Sequence, residues 1–245
     1  MKTKKIETEP ISLSKYLAQA GVASRRKVVD IIKSKVVTVN GIIIADPGYK
    51  ITTNDSIKVN NNEILNQQKI YILLNKPKNC IATVSDERDR YNVMDIIAQD
   101  IKERVYPIGR LDRNTTGLLL LTNDGQLAQR LSHPSFEVEK VYQVQLDKIL
   151  NRMNMRAIIE GIHLEDGFIK VNELQYIPGE PKNNILVAIH SGKNRIIRRI
   201  FEYLGYEVKK LDRIAYAGLT KTGLKTGQWR YLSDSEISYL KNLKL

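Results

Sequence analysis

The sequence contains one cysteine, Cys80, which excludes an internal disulfide. Its three histidines, His133, His163 and His190, are scattered without metal-ligand spacing, so no metal is expected. No stretch approaches the roughly eighteen consecutive apolar residues of a membrane-spanning helix, and no basic amphipathic lipid anchor stands out. A G-x-G-x-x-G loop is also missing, which disfavours a methyltransferase. There is no internal repeat and no low-complexity tract. The opening MKTKKIETEP is basic but has no apolar core segment. It is expected to be a solvated tail over residues 1–10 rather than a secretory signal, and the chain is expected in the cytoplasm.

What the sequence has instead is positive charge. Lys and Arg number 39 against 27 Asp and Glu, a net charge of +12, while 42% of residues are hydrophobic. That apolar share is too high for a disordered basic tail, so the reading is a folded protein with a polyanionic partner, nucleic acid first. A length of 245 residues fits a small module followed by a larger one. The charge is concentrated at the front, because residues 1–70 hold 12 basic and 6 acidic side chains.

In chain order, Leu13, Leu17 and Ala20 recur at helical spacing and stop at Gly21, a C-cap glycine. Ser24 caps a second helix whose first turn carries Arg25, Arg26 and Lys27. Cations at a helix N-terminus oppose its dipole unless an anion is recruited, so they form either a phosphate site or a solvated cluster. Val36–Val39, Asn40-Gly41 and Ile42–Ile44 read as a type I′ hairpin. Lys50–Val59 reads as one further strand. Polar residues near 60–68 place the boundary between a unit at 11–66 and one at 70–245. There the runs IYILL and CIATV, around Asn75-Lys76-Pro77-Lys78, read as two strands, and Val93–Ile101 as a short helix.

The densest stretch is Tyr106–Gly125, YPIGRLDRNTTGLLLLTNDG. Leu118–Leu121 is a buried strand bounded by Gly117 and by Asn123-Asp124-Gly125, and Gln126–Leu131 is a helix capped by Asp124 or Gly125. Asp112 lies between Arg110 and Arg113 at the mouth of that strand. It is either an ionised acid facing a ligand or a turn aspartate satisfying backbone N–H groups. Tyr142, on the alternating strand Glu139–Gln145, reads as core filler with a rim hydroxyl or as a flat wall. Arg195, Arg198 and Arg199 read as a basic helix face able to contact phosphate.

The run from Gly109-Arg110-Leu111-Asp112 through Gly125 resembles the catalytic motif of the Rsu/Rlu family of ribosomal RNA pseudouridine synthases. Ser191–Phe201 is similar to a further motif of that family. Residues 12–65, with SRRK on the second helix and VNG in the hairpin, resemble the αL, S-four-like RNA-binding module, although Lys35 and Val36 stand where glycine and arginine are usual. The resemblance implies an α+β protein: a small αL RNA-binding domain followed by a synthase domain on a mixed, largely antiparallel sheet. It implies isomerisation of a uridine in ribosomal RNA, with no cofactor. Asp112 would be the nucleophile, Tyr142 would pack against the uracil, and Arg198 would pair with the aspartate. Arg110 would fill the space left by the flipped base, Arg195 and Arg199 would bind substrate, and Arg25, Arg26 and Lys27 would bind RNA. Thr122–Gly125, His133-Pro134-Ser135 and Glu139-Lys140 are more similar to the branch acting on large-subunit RNA. The expected partner is ribosomal RNA or an assembling particle, met by a monomer. The alternative is a non-catalytic assembly factor that keeps the fold.

Overall fold

A computed structural model describes residues 10–98 and 100–243. All but Pro10 of the expected basic tail lies outside the described residues. The chain divides into two compact units, Met1–Lys69 and Ile70–Leu245.

In the first unit, β1 (Ile11–Ser12) leads into α1 (Leu13–Gln19), and α2 (Arg25–Lys33) follows. The Ser24 hydroxyl accepts the Lys27 N–H and so caps α2, whose first turn has no acidic residue. Arg25, Arg26 and Lys27 are exposed there. Strands β2 (Val37–Val39) and β3 (Ile42–Ile43) form the hairpin. Asn40 and Gly41 both take positive φ, 52° and 83°, as a type I′ turn requires. Leu13, Leu17, Val28, Ile32, Val37 and Ile57 are the buried centre.

The single strand expected over Lys50–Val59 is two. β4 (Lys50–Ile51) pairs with β1, whereas β5 (Ile57–Val59) pairs with β2 and with β6 (Asn62–Glu63). Asp55 makes the break, its carboxylate accepting the Thr52 N–H at 2.6 Å and the Thr52 hydroxyl at 3.0 Å. Lys35, one of the two positions that depart from the resembled module, has a φ of 61°. An L-residue is held there in left-handed backbone, at some conformational cost.

The second unit runs β7 (Tyr71–Lys76), α3 (Val93–Ile97), β8 (Tyr106–Pro107), β9 (Thr116–Thr122), α4 (Gly125–Ser132) and β10 (Lys140–Leu146). It continues α5 (Arg152–Glu160), β11 (Ile162–Leu164), β12 (Gly167–Ile169), β13 (Glu173–Tyr176), β14 (Asn184–Ile189) and α6 (Ile196–Tyr203). It closes with β15 (Val208–Tyr216), β16 (Leu219–Thr220), β17 (Trp229–Tyr231) and α7 (Asp234–Asn242). Among the described residues the main sheet has nine strands, in the order β13-β14-β10-β15-β9-β7-β17, with β16 on β15 and β8 on β9. Only β15 and β9 run parallel; the other neighbours are antiparallel. This is the mixed, largely antiparallel sheet expected.

Two local expectations need correction. The run at Cys80–Val84 is not a strand and contributes only a bridge between Ile81 and Asn92. The reason is Lys76, fully buried, whose ammonium donates to the carbonyls of Pro77 at 2.9 Å and Cys80 at 2.7 Å. It thereby curls the chain after β7 into a tight loop and occupies a carbonyl that a ladder would need. The helix expected to reach Ile101 ends at Ile97, after a start fixed by the Asn92–Asp95 capping box.

Candidate active site

Asp112 stands on the loop that joins β8 to β9. Both ends of that loop are anchored, since Ile108 N–H donates to Leu120 O at 2.7 Å and Thr115 N–H donates to Asp112 O at 3.0 Å. Leu111 turns into the core beside it. Gly109 supplies a positive φ of 70° at the bend. β9 then runs beside β15 at very short range, and Gly117 is the reason it can. A Cβ on Gly117 would stand 2.3 Å from the Arg213 carbonyl oxygen. One glycine therefore sets the spacing between the strand after Asp112 and the strand that carries Arg213.

Asp112 and Tyr142 line the same cavity, of about 180 Å³, together with Thr115, Lys140 and Arg213. Tyr142 is half-buried on β10 and lies directly across from Arg213 on β15, so both side chains share one face of the sheet. Arg110, Lys193 and Arg195 are exposed cations around this cavity and around an adjoining opening that also includes Asp112. Arg195 has a left-handed φ of 49° at the start of α6 and pairs loosely with Glu202 at 3.5 Å.

Arg198 is placed differently from the expected pairing. Its Nη1 donates to the Val208 carbonyl at 2.9 Å, and none of the ion pairs among the described residues joins it to Asp112. Burial pushes the Arg198 pKa down and the neighbouring Arg195 charge adds to this, while Asp112 and Glu202 oppose it. The carboxylate thus acts on the guanidinium across a gap rather than through a contact. Arg199 is not on the cavity wall; it forms a bidentate pair with Asp166 at 2.6 and 3.0 Å.

Three further cations stand near Asp112: Lys76 and Arg213 are buried and Lys140 is half-buried, and of these Lys140 and Arg213 line the cavity. Lys76 is pushed down to about 8, chiefly by burial, and Asp112 is one of the charges that partly hold it up. Lys140 is likewise lowered to about 8 by burial and by Arg213, and it donates to Val138 O at 2.7 Å and His190 O at 2.8 Å. Arg213 is 2% exposed, donates through Nε to Leu118 O at 2.8 Å, and stacks 4.6 Å from the centre of the Tyr216 ring. A readable signal existed for Arg213, because it falls two residues after the core Leu211 on a strand and so must face inward with it. An ionisable carboxylate beside a flat aromatic wall, inside a cationic and partly dry cleft, suits nucleophilic chemistry on a planar base carried by a polyanion.

The model of the RNA pseudouridylate synthase family matches residues 70–203, and that of the S4 domain matches residues 12–57. The chain belongs to the RNA pseudouridylate synthase family. It is 41% identical over 234 residues to the ribosomal large subunit pseudouridine synthase B of Bacillus subtilis, covering 94% of this chain and 96% of that protein. With the protein of that name from Buchnera aphidicola it shares 38% identity over 243 residues, 93% of this chain and 96% of the relative. A crystal structure of a pseudouridylate synthase superimposes with a TM-score of 0.67 at 28% identity, over 94% of this chain and 99% of the other. The family match spans β7 to α6 and so takes in Asp112, Tyr142 and Arg198, while β15 with Arg213 lies beyond it. The S4 match includes Arg25, Arg26 and Lys27. No helix of the described residues is long and apolar enough to cross a membrane.

Proposed function

We propose that this synthase isomerises a uridine of ribosomal RNA, in the large subunit, to pseudouridine, with Asp112 as the nucleophile. The observation that carries the proposal is that Asp112 and Tyr142 come from separate elements to line one cavity ringed by exposed cations. The large-subunit assignment rests on the names of the relatives. The target base lies stacked within RNA, so it is flipped into the cleft, and Arg110 on the exposed lip takes its place in the stack. The bond between the ribose anomeric carbon and N1 of uracil breaks and its electron pair leaves with the base. The base turns, its C5 bonds to the anomeric carbon and then loses its proton to water, and N1 takes up a proton. Asp112 bonds transiently to the sugar or the ring, or assists elimination from the sugar. Arg198 acts on that carboxylate electrostatically, across the gap rather than by a contact. Tyr142 stacks on the uracil, and its hydroxyl assists proton removal from C5. Arg195 meets the RNA backbone at the rim. Arg199, held by Asp166, adds to RNA contact only if that pair opens.

The unit at 11–66 serves as the RNA-docking domain, through Arg25, Arg26 and Lys27, and that at 70–245 as the catalytic domain. The protein acts as a monomer in the cytoplasm, on ribosomal RNA or an assembling particle. The test is tritium release from large-subunit ribosomal RNA labelled at uridine C5, since that hydrogen is lost only on isomerisation. Stoichiometric release from one site is expected. Binding to the same RNA with no release would instead identify a non-catalytic assembly factor.

A further inference from the structure

Two residues of the cavity wall each carry a buried polar group with no partner among the described residues: Nη2 of Arg213 and Oγ1 of Thr115. Each residue is 2% exposed. The Nε of Arg213 is used by Leu118 O and its guanidinium plane is fixed against Tyr216, so Nη2 is aimed rather than free to seek a partner. Among the described residues Arg213 has no ion pair. Its nearest acidic neighbour along the strand, Asp212, is occupied by Lys221 and by the Thr116 hydroxyl at 2.9 Å. A buried guanidinium with an unused donor costs stability unless something satisfies it, and so does a buried hydroxyl. Both residues line the cavity in which, on the reading above, the base lies against Tyr142.

Depth decides which part of the nucleotide reaches them. The phosphates of a flipped nucleotide stay with the RNA strand at the rim, where the exposed Arg110, Lys193 and Arg195 stand. The base goes to the bottom. Its edge offers carbonyl oxygens to a donor and an N3–H to a hydroxyl. When the glycosidic bond breaks, the electron pair that joined C1′ to N1 stays on the ring and spreads to O2 and O4. A dry, oriented cation is worth most where charge develops during reaction.

We propose that Arg213 and Thr115 are uracil-binding residues, the guanidinium donating to a ring carbonyl oxygen on which negative charge collects as C1′–N1 breaks, and Thr115 engaging the adjacent N3–H. The inference rests on the proposed isomerase reaction. It adds a leaving-group stabiliser on β15 to the aspartate, the tyrosine and the α6 arginine.

The test uses the full chain and large-subunit ribosomal RNA transcript labelled with tritium at uridine C5, under single turnover, with RNA affinity and thermal unfolding measured on the same samples. Arg213→Gln is expected to slow release about 10²-fold or more. Arg213→Lys, which keeps a charge but loses the fork, should slow it less. For both, the Kd for RNA should stay within about twofold and become no less salt-dependent. Thr115→Val keeps the shape of the side chain and should slow release about tenfold, which provides a test even if Arg213 variants fold poorly. Parental release rates in folded Arg213→Gln or in Thr115→Val would overturn the proposal. A weaker Kd with a shallower salt slope in Arg213→Gln would also overturn it, making Arg213 a phosphate contact. A parent that binds but releases no tritium defeats the isomerase reading itself, and this inference with it.

Discussion

Gly117→Ala tests whether one close strand contact builds the cleft. The added methyl would stand 2.3 Å from the Arg213 carbonyl oxygen and 2.6 Å from both the Arg213 amide nitrogen and an oxygen of Asp212. Two of these are backbone atoms of β15, which cannot rotate aside, so β9 and β15 must separate. Gly117 also has a φ of 106°, a conformation that costs a side-chain-bearing residue about 1–3 kcal/mol. Overpacking adds about 1–3 kcal/mol, for a total of about 2–6 kcal/mol. Against a whole-domain stability of roughly 5–15 kcal/mol this is a large fraction. Gly109→Ala is the control, since Gly109 has a φ of 70° but nothing within 4 Å of the added methyl, and it carries the backbone cost alone. Urea unfolding of the two variants should show Gly117→Ala the more destabilised by about 1–3 kcal/mol. Its turnover should also fall in the protein that remains folded, because Asp112 and Arg213 are displaced together. Equal stabilities for the two variants would refute the argument that β9 and β15 meet through Gly117.

Tyr142→Phe keeps the wall and loses the hydroxyl, so RNA affinity should hold while tritium release falls about 10²-fold; full activity would leave Tyr142 as a stacking surface only. Lys76 gives a pH prediction. Its pKa is lowered from 10.5 to about 8 in the folded chain, so between those values the unfolded chain binds more protons and this group's contribution to stability rises with pH. Below about 8 both states are protonated and the cost of burying the charge is fully present. The stability of the parent relative to Lys76→Met should therefore climb from pH 8 to 10.5 in urea titrations, and a flat difference would contradict the burial argument. Changing Arg25 and Arg26 together to Ala should make the slope of log K against log salt shallower by about 1.5 to 2, and an unchanged slope would mean that α2 does not meet phosphate.

Much of this fold was legible because its strongest elements are locally determined. Leu118–Leu121 is an apolar run closed by turn residues, α2 begins at a serine cap, and Asn40-Gly41 dictates its hairpin; all three stand where the sequence put them. The failures came from polar side chains bonding to backbone a few residues away, which no apolar pattern announces. Asp55 breaks the strand expected over 50–59, and the Lys76 ammonium takes carbonyls that would have extended a second strand. The site divided in the same way. Asp112 and Tyr142 lie in readable local patterns and meet in one cavity. Arg213 carried only the signal of standing two residues after Leu211 on a strand, and the pairing of β15 between β10 and β9 sets it on the wall it shares with Tyr142. The Arg199 pair with Asp166 could not be read either, since the partner is 33 residues away and no helical pattern announces it.

The most direct measurement of the central claim is tritium release by Asp112→Asn beside Asp124→Asn. Asn is nearly isosteric with Asp but cannot act as an anionic nucleophile. Asp112 makes no ion pair among the described residues, so its loss of charge should leave folding and RNA affinity nearly unchanged. Asp124 caps α4 and accepts the Tyr71 hydroxyl at 2.8 Å, away from the cavity wall, and an asparagine there still caps. The account predicts that Asp112→Asn binds large-subunit ribosomal RNA as the parent does and releases no tritium, while Asp124→Asn stays active. Release by Asp112→Asn at the parental rate would contradict it.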